Sequence, residues 1–362
     1  MSAKLRIQDL PAEEIAALLA KSDKEVTRQQ AVDVNVELLD VEENRVLANC
    51  NSSMVKFRID EIRVDPEGFY FETLVTIPQE LDEHIMHASV QRVEFPTFDI
   101  DAATGRTRQL HGYLYSPRNP LPKDQQLVMI QSFYGGRNTF STRTQILAEA
   151  GIYVFSVSPR GSSGFGKEFS ALNDKDLGGN EIIDIFSAGE FISEALDIPP
   201  QRIGVFGGSH GGYATMRILT FPEEVNGVAA SFDWGFGISH AGFSDIIHFY
   251  EHCNIPDWVT MEAGDPKTEA DKLRDRSPLY HADKAKGKLL LTHGTNDSRV
   301  PIEGSRQMAA ALKKYDKDFV LVEFEGQGHS IKGLENTARN YRVWFEFLES
   351  LEPMADSQVG RR

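Results

Sequence analysis

Apolar side chains fall on alternate positions through much of the stretch from about 30 to 100. In "VDVNVEL" they are Val32, Val34, Val36 and Leu38, and in "VKFRI" they are Val55, Phe57 and Ile59. A period of two predicts half-buried strands, and "FYFETLVTI" is a third candidate. Ahead of them, "DLPAEEIAALLAK" reads as a helix, with Ile15, Leu18 and Leu19 on one stripe and Asp9 placed to cap it. After about residue 105 the pattern becomes strand, loop and helix, repeated. The short apolar runs are "QLVMIQSF", "IYVFSVSP", "RIGVFGG", "GVAASFD", "KLLLTHG" and "FVLVEFEG". Helical stretches such as "EIIDIFSAGEFISEAL" and "SRQMAAALKKY" lie between them. Continuous apolar strands alternating with amphipathic helices predict an α/β fold with a mostly parallel, doubly wound sheet covered on both faces. Ligands meet such sheets at the carboxyl ends of the strands, so the loops there are the place to look for chemistry.

Charge and composition narrow the classes. The 362 residues are 41 % hydrophobic and 25 % charged, as in an ordinary globular protein. With 38 basic and 54 acidic side chains the net charge is −16, which argues against nucleic acid or an anionic membrane as partner. Only two cysteines occur, Cys50 and Cys253, and the first twenty residues lack a continuous apolar core. Both features point to a reducing, cytoplasmic setting.

One loop stands out. "GVFGGSHGGYAT" packs five glycines into twelve positions around Ser209, between the strand "RIGVF" and the helix that starts at "YATMRILTF". Gly207 to Gly211 matches G-x-S-x-G, a strand-to-helix elbow that lifts a serine hydroxyl out of a sheet above a helix N-terminus. Glycines two positions either side are expected because side chains there would meet neighbouring backbone. A serine hydroxyl needs a base, and the elbow predicts a carboxylate and then a histidine after later strands. Asp297 in "LLLTHGTNDSRVP" and His329 in "FVLVEFEGQGHSIKG" fill those places in the required order. His293, at the end of the same strand as Asp297, reads as structural.

These motifs, with "FYGGRN" at 133–138 and "SPRGSSGFGKEF" at 158–169, resemble the catalytic domain of the prolyl oligopeptidase family of serine peptidases. The resemblance covers roughly 95 to 352. It implies an α/β-hydrolase fold, and catalysis by Ser209, Asp297 and His329 through an acyl-enzyme on short peptides, without a cofactor. By the same resemblance Tyr134 and the amide of His210 would hold the oxyanion, and Arg299, Trp234 and Val300 would contact substrate. Arg160 is expected to brace loops. Family members usually carry a β-propeller, which needs at least four blades of about four strands. The region 1–95 holds only four or five candidate strands, so the expected organisation is a helix and small β-rich region at 1–95, a propeller remnant or a cap, then the catalytic domain at 96–352 and a polar tail at 353–362. Strand edges in the first region would favour a homo-oligomer.

Three rivals have some footing. A carboxylesterase would use the same triad on a small ester. "HFYEH" at 248–252 matches one zinc-peptidase spacing, although no third ligand is evident. A non-catalytic binding module would ordinarily have lost a member of the triad. "GSSGFGKE" misses the phosphate-loop pattern because Glu168 stands where a hydroxyl is needed.

Overall fold

The computed structural model describes residues 88–133 and 140–351 in full, together with the backbone of four strands between 35 and 76. The expected helix at 9–21, Tyr134 and the tail at 353–362 lie outside the described residues. The chain forms two compact units. One comprises Met1–Val90, Tyr115–Asn119 and Arg137–Ala150, and the other comprises Gln91–Leu114, Pro120–Gly136 and Gly151–Arg362.

The period-two region is an antiparallel meander of β1 (Asn35–Glu42), β2 (Arg45–Ser52), β3 (Val55–Asp65) and β4 (Gly68–Thr76), paired in that order. β2, "RVLANCNS", has no clean alternation, and only its neighbours announce it. Register shifts interrupt the ladder between Leu38 and Asp40, between Cys50 and Ser52, and between Ile59 and Asp60.

The second sheet has eight strands. They are β5 (Ala88–Asp101), β6 (Arg106–Pro117), β7 (Val128–Gln131), β8 (Tyr153–Ser158), β9 (Ile203–Gly208), β12 (Phe236–His240), β13 (Lys288–Gly294) and β14 (Phe319–Phe324). Two-residue strands β10 (Glu224–Val225) and β11 (Val228–Ala229) form a separate ribbon. The order is β14-β13-β12-β9-β7-β8-β6-β5. The six strands from β14 across the sheet to β8 are all parallel, with Ile238 level with Phe206 on one side and Leu290 on the other. From β7 the chain steps outward to β8 and then returns past β7 to β9, so the winding reverses beside β7. Sites in doubly wound sheets form at such a reversal. The helices that matter for the site are α1 (Asn180–Leu196), α2 (His210–Leu219), α3 (Ile246–His252), α4 (Pro256–Glu262) and α5 (Glu303–Lys314).

One strand is not where the apolar pattern puts it. The run "GVAASFD" contributes only the two-residue β11, and the sheet strand is "FGISH" at Phe236–His240. Its glycine and polar residues hide it in the sequence. The structure gives the reason for glycine at 237: a Cβ there would lie 2.6 Å from Leu219 Cδ1 and 2.9 Å from Thr215 Cγ2. Glycine lets α2 lie directly on β12. The helix is buried along its whole length, including Arg217.

Arg160 is structural, as expected, and ties the loop after β8 to β5 and α1. Its guanidinium lies 2.9 Å from Asp99 Oδ1 and 2.8 Å from Asp184 Oδ1, and its own amide donates to Asp184 Oδ2 at 2.8 Å. The arginine is only 3 % exposed, so these partners, and not solvent, satisfy it.

Gly294 at the end of β13 is the tightest point on the site side. A Cβ there would sit 2.3 Å from Gln327 O and 2.4 Å from Gly328 O, both rigid backbone atoms. Gly294→Ala should therefore lower unfolding stability by roughly 1–3 kcal/mol in urea titration, as overpacking does. Gly208→Ala, whose new Cβ would meet only ordinary contacts at 3.7 Å, should cost much less.

Candidate active site

Ser209 links β9 to α2 and has φ 59° and ψ −120°. A non-glycine residue held there stores on the order of 1–3 kcal/mol, which surrounding structure must enforce. The enforcement is visible. Ser209 N donates to His240 O at the end of β12 at 2.8 Å, and Ser209 O accepts the first helical bond from Tyr213 N at 3.0 Å. Gly207 is required: its Cβ would lie 2.6 Å from the Gly211 backbone. On the other side the crowding is one residue later than the motif suggests. A Cβ on Gly211 would have ordinary contacts at 3.5 Å, whereas one on Gly212 would lie 2.6 Å from His240 O. His210 opens α2, so its amide belongs to the first turn, whose N–H groups point out of the helix toward the serine. The His210 ring is buried against Phe133, with centroids 4.0 Å apart, and against Trp258 at 5.4 Å. Burial pushes its pKa down to about 3, so this imidazole stays neutral.

The strands carrying Ser209 and Asp297 are separated by β12, about 10 Å across the sheet. A base on β14 would be farther still. The loop after β14 removes that gap by folding back over β13. Thr295 N donates to Phe324 O at 3.0 Å, Asn296 N to Gln327 O at 2.8 Å and Gly326 N to Thr295 Oγ1 at 2.8 Å. Gly294 admits the crossing. The result is that His329 Nδ1 lies 2.7 Å from Asp297 Oδ2. Asp297 Oδ1 accepts the amides of Arg299 at 2.9 Å and Val300 at 3.0 Å. His293 Nε2 is a further neighbour, 3.3 Å from Oδ2. Burial raises the Asp297 pKa, but the hydrogen bonds from His293, His329 and the Val300 amide outweigh it and hold the carboxyl well below the usual carboxylate range. Asp297 is thus an anion aimed at one nitrogen of His329, which leaves Nε2 facing away from it. Among the described residues Ser209 Oγ accepts or donates no hydrogen bond. Catalytic contacts of this kind commonly tighten only when substrate is bound.

The remaining expected residues separate. Trp234 is a correction. It precedes β12, and the neighbouring Gly235 bonds to Ile203 O and Lys288 N, the first residues of β9 and β13. That is the amino end of the sheet, opposite Ser209. Its ring packs on Phe186 and Phe232 and fills the space that Gly189 leaves open. The error follows from the strand placement: had 227–233 been the strand, Trp234 would stand at its carboxyl end. Val300 is 1 % exposed, and its described polar contacts are backbone ones to Asp297 and His293. Arg299 is exposed beside the acid. Tyr134 lies outside the described residues. Trp258 and Phe133 were not singled out in the sequence, and the buried His293 was read there only as structural. No spacing announces an aromatic from an insertion helix, and a histidine in "LLLTHG" looks like any polar strand end.

In "HFYEH" the rings of His248 and His252 stack at 4.2 Å, and His252 Nδ1 bonds to His248 O at 2.8 Å. Among the described residues no group of three metal-ligating side chains converges. Nor is any helix among them long and apolar enough to cross a membrane.

The depressed Asp297 pKa has a pH signature. An acid whose folded pKa lies below its unfolded value adds stability above the unfolded value and loses it as pH falls toward the folded one. The stability difference between wild type and Asp297→Asn should therefore be constant from pH 5 to 8 and shrink below about pH 4. Urea unfolding of both proteins across that range checks it.

Comparison with known proteins agrees with this architecture. The model of the prolyl oligopeptidase family matches residues 138–352. An uncharacterized peptidase of Bacillus subtilis, YuxL, is 33 % identical over 239 residues, covering 64 % of this chain and 35 % of that protein. Dipeptidyl aminopeptidase BIII of Pseudoxanthomonas mexicana is 29 % identical over 271 residues, 70 % of this chain and 38 % of its own. The acylaminoacyl peptidase of Pyrococcus horikoshii superposes with a TM-score of 0.72 at 22 % identity, over 91 % of this chain and 50 % of that one. The chain thus spans little more than a third of these curated relatives and half of the solved structure. A family model that covers more than half of the chain, on a parallel sheet with a strained serine elbow, is decisive: the chain belongs to the prolyl oligopeptidase family, with the α/β-hydrolase fold of its catalytic domain.

Proposed function

We propose that this chain is a serine peptidase that cleaves short peptides through Ser209, His329 and Asp297. The observation that carries the reading is the 2.7 Å bond between His329 Nδ1 and Asp297 Oδ2, at the sheet end where Ser209 is held at positive φ. Ser209 Oγ attacks the scissile carbonyl while His329 Nε2 takes its proton. The tetrahedral oxyanion is held by the His210 amide and the Tyr134 hydroxyl. Collapse breaks the C–N bond, and His329 returns the proton to the leaving amine. Water then adds to the acyl-enzyme, again giving its proton to Nε2, and the acid product leaves as Ser209 is reprotonated. Asp297 keeps the imidazole in the Nδ1–H tautomer and stabilises its cation. No cofactor takes part in these steps. Arg299, exposed two residues beyond Asp297, is assigned to substrate contact, which its exposure supports. The peptidase names of the relatives support an amide substrate over an ester. The catalytic domain is assigned to 96–352, with 1–95 as a separate β-rich region. Two cysteines support a reducing, cytoplasmic setting, and the charge of −16 supports no nucleic-acid partner.

A fluorophosphonate probe should label wild type and not Ser209→Ala. Hydrolysis of a peptide library and a panel of aryl esters by the same protein separates peptidase from carboxylesterase. Ester turnover without any peptide turnover would overturn the substrate assignment. Asp297→Asn should lower kcat about 10⁴-fold by favouring the wrong tautomer. Tyr134→Phe, which removes one oxyanion donor and keeps the ring, should cost roughly 10²–10³-fold in kcat.

A further inference from the structure

Asp297 has a second imidazole. His293 Nε2 lies 3.3 Å from Asp297 Oδ2, the same oxygen that takes His329 Nδ1. The side chains of His293 and Asp297 are both fully buried, so no solvent screens the pair. His293 is itself held at both ends. Its Nδ1 is 2.8 Å from Ser305 Oγ on α5, and its Nε2 is 2.8 Å from Val300 O. Nε2 therefore faces two acceptors, a carbonyl and a carboxylate, and neither can donate a hydrogen. A proton must therefore be on Nε2, shared between them, while Nδ1 meets the Ser305 hydroxyl, which can accept or donate.

The rest of the carboxylate is accounted for. Oδ1 is fixed by two backbone amides, but Oδ2, the oxygen that orients the base, has only His329 and His293. A carboxylate pinned on one oxygen can still swing the other about the Cβ–Cγ bond. We propose that His293 is a positioning residue for the acid: its Nε2–H holds Asp297 Oδ2 against rotation, so that this oxygen stays aimed at His329 Nδ1. The inference rests on the triad reading above. It goes beyond that reading in giving the acid a supporting side chain, with Ser305 behind it. Val300, expected to touch substrate, serves here through its backbone, its amide on Oδ1 and its carbonyl on His293.

The histidine variants test it. His293→Leu removes the donor and keeps much of the volume, and His293→Gln retains an N–H near the Nε2 position. With a peptide substrate found by library screening, His293→Leu should lower kcat roughly 10- to 100-fold with KM unchanged, the scale of one lost hydrogen bond to a charged group. His293→Gln should recover most of that loss. The downfield proton resonance of His329 Nδ1–H, assigned by its absence in His329→Ala, should weaken or shift in His293→Leu and persist in His293→Gln. A folded His293→Leu with wild-type kcat and an unchanged resonance would overturn the proposal. A packing role alone would lower thermal stability in both variants without the split between them.

Should His293→Leu fail to fold, the wild-type protein still decides. With ¹⁵N-labelled histidine, His293 should carry a proton on Nε2. Finding the proton on Nδ1 alone would overturn the assignment, because Nε2 would then have nothing to donate. Failure of the triad reading is distinguishable: activity that survives in Ser209→Ala would sink the triad, while the tautomer and the resonance still report on the contact between His293 and Asp297.

Discussion

A backbone-to-backbone approach that only glycine permits underlies the whole site. The loop after β14 passes so close to the end of β13 that Gly294 has no room for a methyl group beside Gln327 and Gly328. Without that crossing, His329 would stand over its own edge strand, several strand widths from the serine. With it, the loops of acid and base are laced by main-chain bonds, and Asp297 and His329 come within hydrogen-bond reach. Gly207 does the equivalent work at the nucleophile, where its backbone lies against Gly211 and allows the turn to close. Gly212 does so between α2 and the end of β12.

These contacts explain how strain and charge are held in place together. A serine at positive φ persists because its amide is fixed to β12 and its carbonyl to the first turn of α2. A buried carboxylate persists because donors surround it: two amides on one oxygen and two imidazoles on the other. Both arrangements are costly in isolation, and both sit on the rigid part of the molecule. β9, β12 and β13 are adjacent parallel strands with buried runs, so the loops that leave them cannot drift relative to one another.

The two histidines on Asp297 divide its surroundings. His329 is partly exposed, whereas His293 is buried on β13 against α5. One imidazole is therefore open to solvent. The other meets only protein groups: the carboxylate, the Val300 carbonyl and the Ser305 hydroxyl.

Ser209, Asp297 and His329 were legible in the sequence because each follows a strand in a fixed order, and each strand is a continuous apolar run. The parallel sheet and three of the four meander strands were legible for a similar reason: periods of two, and uninterrupted apolar runs, are direct consequences of which faces are buried. β12 was not legible. Its residues are dictated by how closely α2 lies on it, and a glycine chosen for contact looks like a glycine chosen for a turn. That one displaced strand carried Trp234 to the wrong end of the sheet. His293 was legible as a structural residue but not as a neighbour of the acid, for a different reason. Its partners Val300 and Ser305 lie 7 and 12 residues away, and only the fold of the loop between β13 and α5 turns them inward. Local patterning thus determined the order of elements and the residues with chemistry to offer. Tertiary packing decided which backbones could approach, and so which of those residues met.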